Sequence, residues 1–306
     1  MSKAPDLTTT IGTLTLRNPV MVASGTFGYG PEYADLVDLN ALGAVVVKGI
    51  RMDAGTGNPT PRAVETASGL INAIGLPGPG VEEFIASYIP FLEDYTVPLV
   101  VNIWGTTVEE YGQVAARLSE IERVNALELN ISCPNIKEGS AMFGTDPEMI
   151  REVVQVVRAN TTLPIIPKLA PNIADVAHFA RTCEAAGADA ISLINSVPAM
   201  AIDIETRRPL IANVTGGLTG PAIHPIAVKQ VWEAAAAVDI PVIGMGGICT
   251  AADALEFMIA GATAVAVGTA NFTNPNTAIE VIGGISDYLA RHGHQQASAI
   301  VGSVQI

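Results

Sequence analysis

Val45-Val-Val-Lys48, Leu99-Val-Val-Asn102, Leu127-Glu-Leu-Asn130, Ile165-Ile-Pro-Lys168 and Ile191-Ser-Leu-Ile-Asn195 are short apolar runs, each carrying one lysine or asparagine near its C-terminal end. A lone ammonium or amide in a buried strand costs several kcal/mol unless something pairs with it. Repetition at matching positions points to one shared polar partner, and a bound ligand is the simplest. Strands are expected at 18–24, 44–49, 98–103, 126–132, 164–169, 190–195, 241–245 and 264–268. Alanine-rich amphipathic stretches at 107–122, 147–159, 174–186, 225–237 and 251–260 alternate with them. Asp146-Pro147 opens one helix, and Gly187 and Gly261 close two others.

Eight such units with near-continuous apolar strands favour an α/β fold of the (β/α)8 TIM-barrel type over an open doubly wound sheet. An open sheet would carry a dinucleotide GxGxxG at its first helix, whereas Gly25, Gly28 and Gly30 have the wrong spacing. The segment 7–16, broken by Gly12, reads as an N-terminal β-hairpin capping the barrel bottom. The connections 50–80, 134–146 and 197–221 follow strands. They are therefore long loops on the C-terminal face, where barrel active sites lie. One domain is expected over residues 1–306.

Sixteen basic against thirty acidic residues give a formal charge of -14, which disfavours nucleic acid and anionic membranes as partners. The N-terminus has no apolar signal core and no run approaches a membrane span, so a cytoplasmic protein is expected. Cys133, Cys183 and Cys249 lack metal or cluster spacing, and the four histidines form no HExxH-like pair. No metal site is expected.

Gly244-Met-Gly246-Gly247 after strand 7 and Val267-Gly268-Thr269 after strand 8 together read as a phosphate site built from close-approaching backbone amides. Lys168 reads either as a rim lysine paired with a carboxylate or as a fixed cation beside a cofactor that gains charge on reduction. A flavin suits the second role, with Lys48, Asn102 and Asn130 as further ring contacts. A lone cysteine is usually a small buried hydrophobe. Cys133, however, precedes Pro134, begins a polar loop and neighbours two candidate cations that would lower its pKa, so it reads as a base. Asn72-Ala-Ile-Gly-Leu76, with Asn130, Asn195 and Ser196, offers neutral hydrogen-bonding groups suited to a planar, amide-rich substrate.

Across nearly its whole length the chain resembles the class 1 dihydroorotate dehydrogenases, flavin enzymes of pyrimidine synthesis. The resemblance is carried by Asn18-Pro-Val-Met-Val-Ala-Ser24-Gly, Lys48-Gly49, Asn72-Ala-Ile-Gly-Leu76, Asn130-Ile-Ser-Cys133-Pro-Asn, Lys168-Leu-Ala-Pro-Asn, Gly216-Gly-Leu-Thr-Gly-Pro-Ala and Gly246-Gly. It implies FMN contacts at Ser24, Lys48, Gly49, Asn102, Asn130, Lys168, Ile194, Gly220, Gly246, Gly247, Gly268 and Thr269. It implies substrate contacts at Lys48, Asn72, Ala73, Ile74, Gly75, Leu76, Asn130, Asn195 and Ser196, and a catalytic base at Cys133.

Asp203-Ile-Glu-Thr-Arg-Arg-Pro and the Gly216 run resemble the NAD-linked subclass. That implies a separate electron-transfer subunit with FAD and a [2Fe–2S] cluster, in a heterotetramer of two catalytic and two electron-transfer chains. Ser196 and Ala199 depart from the family's more frequent threonine and glycine. A fumarate-linked homodimer, an FMN barrel acting on another pyrimidine or 2-hydroxy acid, and a non-catalytic FMN- or phosphate-binding barrel are the competing readings.

Overall fold

A computed structural model describes residues 4–131 and 144–306. In chain order, β1 (Thr9–Ile11) and β2 (Leu14–Leu16) form an antiparallel hairpin. Strands β3 (Val20–Val22) and β4 (Ala44–Ile50) open the barrel, and β5 (Ala63–Thr66) and β6 (Gly69–Asn72) form a second hairpin. The barrel continues through β7 (Leu99–Ile103), β8 (Ala126–Leu129), β9 (Ile165–Pro167) and β10 (Ile191–Leu193). Then come β11 (Val197–Ala199), β12 (Ile202–Asp203), β13 (Arg208–Pro209) and β14 (Gly216–Thr219), before β15 (Val242–Met245) and β16 (Ala264–Val267) complete the barrel.

The eight barrel strands form one parallel sheet in the order β10-β15-β16-β3-β4-β7-β8-β9. A parallel bridge between Lys168 and Ser192, with Leu169 N–H donating to Ser192 O at 2.8 Å, joins the two ends. The expected (β/α)8 barrel is therefore what the chain builds. Helices lie between successive strands at Val108–Ser119, Pro147–Asn160, Val176–Ala185, His224–Ala235 and Ala251–Ala260, and Thr277–Arg291 follows the last. Asp146 caps its helix with Pro147 in the first turn, and Thr250 with Asp253 forms a reciprocal capping box.

Strand alternation then sorts side chains between two cores. Val45, Val47, Val101 and Leu127 pack outward against the helices, whereas Ala44, Val46, Val100, Ala126, Ile166 and Ala190 fill the barrel. Ile11 and Leu16 of the first hairpin are fully buried in that inner cluster and plug its lower end. The same parity continued upward gives Lys48, Asn102, Glu128, Asn130, Lys168 and Ser192. The interior thus changes from apolar to polar at the C-terminal face.

Two of the long connections on that face are more ordered than loops. The hairpin β5–β6 and strands β11 and β14 pair into a four-stranded antiparallel sheet in the order β11-β14-β6-β5, with Asn72 opposite Gly217 and Ile71 opposite Leu218. Ile71, Ala73 and Ile211 form its small apolar centre. Gly217 is required by contact: a Cβ there would lie 1.9 Å from Ser196 Oγ. Among the described residues no helix is long and apolar enough to cross a membrane.

Candidate active site

Between the barrel's polar layer and this roof lies a cavity of about 320 Å³. Lys48, Asn102, Asn130, Lys168 and Asn195, the polar residues that end the apolar runs, all line it. Ser24 and Gly49 join them from the ends of the first two barrel strands. Asn72, Ile74, Gly75 and Leu76 come from the roof hairpin and the turn after it, and Ser196 and Thr269 stand at the sixth and eighth strand ends.

The floor is held by a buried carboxylate. Glu128 Oε1 accepts hydrogen bonds from Ser24 Oγ at 2.9 Å and Asn102 Nδ2 at 2.7 Å, and Oε2 accepts from Ser192 Oγ at 3.0 Å. Lys168 Nζ lies 3.7 Å from Glu128 Oε1 and 3.3 Å from Ser24 Oγ. With side chains only 7% and 4% exposed, Lys168 and Glu128 make a buried ion pair. The carboxylate partner in the rim-lysine reading of Lys168 is therefore real, but the pair sits under the cavity rather than at its rim.

Two acceptors above this floor have no partner among the described residues: Asn102 Oδ1 and Asn130 Oδ1, both fully buried. Such atoms are costly unless a donor meets them. The Asn130 backbone is fixed on both sides, its N–H donating to Ile103 O at 2.8 Å and its carbonyl accepting from Tyr111 Oη at 2.9 Å. Burial pushes the Lys48 ammonium pKa down, the nearby Arg62 charge adds to this, and Glu32 opposes it. Two cations, hydroxyls and two asparagines with unpaired acceptors around a partly open cavity suit a planar ring with imide N–H donors and carbonyl acceptors.

The glycine turns form a second corner. Gly246 and Gly247 adopt positive φ directly after β15, and a Cβ at Gly247 would lie 2.8 Å from Gly220 O and from His224 Cβ. His224, which begins the helix His224–Ala235, places Nδ1 3.2 Å from Gly246 O and Nε2 3.1 Å from Glu256 Oε2. Gly220, Gly246 and Gly247 therefore meet at a helix start, with room only for backbone, as a phosphate cradle requires. Ile194 is buried, its N–H donating to Met245 O at 3.0 Å, and Gly268 sits beside Ala23. Gly244 lies inside β15 rather than in the turn.

Ile194, Gly220, Gly246, Gly247 and Gly268 do not border the ring cavity. Nor does Ala73, which is fully buried in the roof, its N–H donating to Arg62 O at 2.8 Å. Cys133 and residues 134–143 lie outside the described residues. Of the other thiols, Cys183 is buried in the outer core with its pKa pushed up to about 12, and burial and Asp253 raise that of Cys249. Among the described residues no group of acidic, cysteine or histidine side chains is arranged to hold a metal.

Sequence reasoning missed Glu128, although a carboxylate inside the run Leu127-Glu-Leu-Asn130 carries the same signal as its lysine and asparagine neighbours. It also missed Leu70, Thr219 and Phe272, which line the cavity and whose composition gives no such sign.

The sequence profile described as Dihydroorotate dehydrogenase matches residues 6–289. Curated relatives named "Dihydroorotate dehydrogenase B (NAD(+)), catalytic subunit" are 52% identical in Geotalea daltonii over 302 residues, covering 99% of both chains. Those of Citrifermentans bemidjiense and Geobacter sulfurreducens are 51% and 52% identical with the same coverage. A polar barrel mouth, a roof and a glycine cradle thus coincide with a match over almost the entire length, and the chain belongs to the dihydroorotate dehydrogenase family.

Proposed function

We propose that this chain oxidises (S)-dihydroorotate to orotate in pyrimidine biosynthesis, as a single FMN-binding barrel domain over residues 1–306. The observation that carries the reading is the convergence of Lys48, Asn102, Asn130, Lys168 and Asn195 on one roofed cavity. Ser24, Lys48, Gly49, Asn102, Asn130, Lys168 and Thr269 would hold the flavin ring and its near side chain. Gly220, Gly246, Gly247 and Gly268, with Ile194 beside them, would hold the phosphate end. The unpartnered Asn102 and Asn130 acceptors and the glycine corner fit this cofactor. When bound, FMN supplies the acceptor for the hydride that leaves C6 of the substrate.

The chain's own residues do the rest. Cys133, as thiolate, takes the C5 proton, so that loss of the two hydrogens leaves the C5=C6 double bond of orotate. Lys48, Asn72–Leu76, Asn130, Asn195 and Ser196 orient the pyrimidine ring, with Ala73 supporting that segment from the roof's interior. Lys168 supplies a fixed positive charge at the cavity floor, and the roof sheet excludes water. Electrons leave through a partner subunit carrying FAD and a [2Fe–2S] cluster to NAD+, in a cytoplasmic heterotetramer of two catalytic and two electron-transfer chains. The words NAD(+) and catalytic subunit in the relatives' names support the electron acceptor and the existence of a separate subunit in this reading.

Anaerobic mixing of the FMN-loaded chain with dihydroorotate should bleach the flavin and yield orotate. An unbleached flavin, with the partner subunit present, would refute the substrate assignment. Comparing NAD+ with fumarate as oxidant then separates the NAD-linked enzyme from a fumarate-linked homodimer. Cys133→Ala should slow flavin reduction by about 10²- to 10⁴-fold while FMN stays bound. Near-normal reduction in that variant would remove Cys133 from the mechanism.

A further inference from the structure

The polar layer of the barrel contains one carboxylate that the proposed reaction does not use. Glu128 is 3% exposed and does not line the cavity. Of its partners, Ser24, Asn102 and Lys168 do line it, whereas Ser192 is fully buried below. We propose that Glu128 is a positioning residue: it fixes which end of the Asn102 amide is left without a partner and offsets the Lys168 charge, and so sets the reduction potential of the bound flavin. This rests on the FMN reading above.

The first half of the argument is a matter of donors and acceptors. An amide has an NH₂ donor end and a carbonyl acceptor end, and its partner decides which is presented elsewhere. An ionised carboxylate only accepts, so Glu128 Oε1 holds Asn102 Nδ2 at 2.7 Å and leaves Oδ1 unpartnered. Asn102 lines the cavity, and the end of its amide left for a ring N–H is the acceptor. A glutamine at position 128 could bind either end of the amide, and that selection would be lost.

The second half is electrostatic. A cation beside a flavin stabilises the charge gained on reduction and raises the potential. A carboxylate 3.7 Å from that cation, in a site that screens little, cancels part of the effect. Hydrogen bonds from Ser24, Asn102 and Ser192 keep Glu128 tolerable as an anion where an unpaired one would not be. The Ser192 hydroxyl does not reach the cavity, and its side-chain contact is with Glu128 Oε2.

The test is the midpoint potential of FMN-loaded wild-type, Glu128→Gln and Ser192→Ala proteins, measured by spectroelectrochemistry. Glu128→Gln should bind FMN more weakly yet hold it at a higher potential. The expected rise is at least a tenfold change in the reduced-to-oxidised equilibrium, about 30 mV for a two-electron couple. Ser192→Ala takes a donor from the carboxylate while leaving its charge, and should lower the potential by a smaller amount without weakening FMN binding. A purely structural role for Glu128 would cost stability and affinity but leave the potential where it was. An unmoved potential in Glu128→Gln overturns the proposal, and should that variant not fold, an unmoved potential in Ser192→Ala does so. Failure of the wild-type chain to take up FMN would overturn the cofactor reading and this inference with it. Wild-type binding with unmoved variants overturns only the role of Glu128.

Discussion

Replacing Lys168 with methionine removes the cation of the buried pair while conserving most of the side chain's volume. At 3.7 Å and an effective dielectric of about 20, the Lys168–Glu128 attraction is about 4.5 kcal/mol. Breaking a buried pair by deleting one member costs about 3–5 kcal/mol, because the other charge stays behind. Here the Ser24, Asn102 and Ser192 donors remain on the carboxylate, and 3.7 Å is longer than a charge-assisted hydrogen bond. The expected loss for Lys168→Met is therefore at or just below the bottom of that range, about 2–3 kcal/mol. Glu128→Gln should lose a similar amount, since among the described residues it leaves the ammonium with only the Ser24 hydroxyl. The double variant removes both charges and should lose clearly less than the sum, giving a coupling of about 2 kcal/mol. Urea unfolding of the FMN-free protein near pH 7, followed by fluorescence and circular dichroism together, measures all three without cofactor linkage. Single-variant losses that add to the double-variant loss within about 0.5 kcal/mol would show that the pair is not coupled and refute this reasoning.

Gly247→Ala would place a methyl 2.8 Å from Gly220 O at a φ of +71°. FMN affinity should fall at least about tenfold, some 1.4 kcal/mol, while riboflavin affinity holds; fluorescence titration of both ligands checks this, and equal losses would place the phosphate elsewhere. Because the Lys48 pKa is depressed in the fold, its protonated form destabilises the FMN-free protein at pH values below the folded pKa. That burden fades as pH rises through the folded pKa toward the ordinary 10.5. Lys48→Met should therefore be more stable than wild type near pH 7, with the advantage shrinking as the pH approaches 10.5; a pH-independent gap in urea midpoints would contradict the shift. Leu16→Ala, in the fully buried plug, should cost about 2–5 kcal/mol in urea unfolding while leaving FMN affinity unchanged, since the hairpin lies at the opposite end from the cavity.

Much of this molecule was legible because a barrel writes itself locally. Val45-Val-Val-Lys48 or Leu99-Val-Val-Asn102 is an apolar strand ending in a polar group wherever the neighbouring strands lie, so both the barrel and its polar mouth follow from single runs. The roof was not legible for the opposite reason. Gly69-Leu-Ile-Asn72 and Gly216-Gly-Leu-Thr219 are too short and glycine-rich to read as strands, and they become the middle pair of the roof only once the chain has folded, β6 between β5 and β14 and β14 between β6 and β11. Glu128 was overlooked because its meaning lies in Ser24, Asn102, Lys168 and Ser192, which no spacing in the sequence ties to it. Ala73 shows the limit of carrying a motif over whole: its neighbours Asn72 and Ile74 border the cavity while its own methyl packs into the roof.

The pairing of β6 with β14 also has a consequence in time. Asn72 and Gly217 are 145 residues apart, and a ribosome adding about 5–20 residues per second takes about 7–30 s to cross that gap. For that interval the β5–β6 hairpin is made but its partner is not, and the β6 edge carrying Leu70 and Ile71 stands open to any other strand that meets it. Four residues is a short edge to guard. Substitutions that lengthen it or make it more apolar would therefore show their harm first as aggregation of nascent chains, in proteins whose finished fold is as stable as the original.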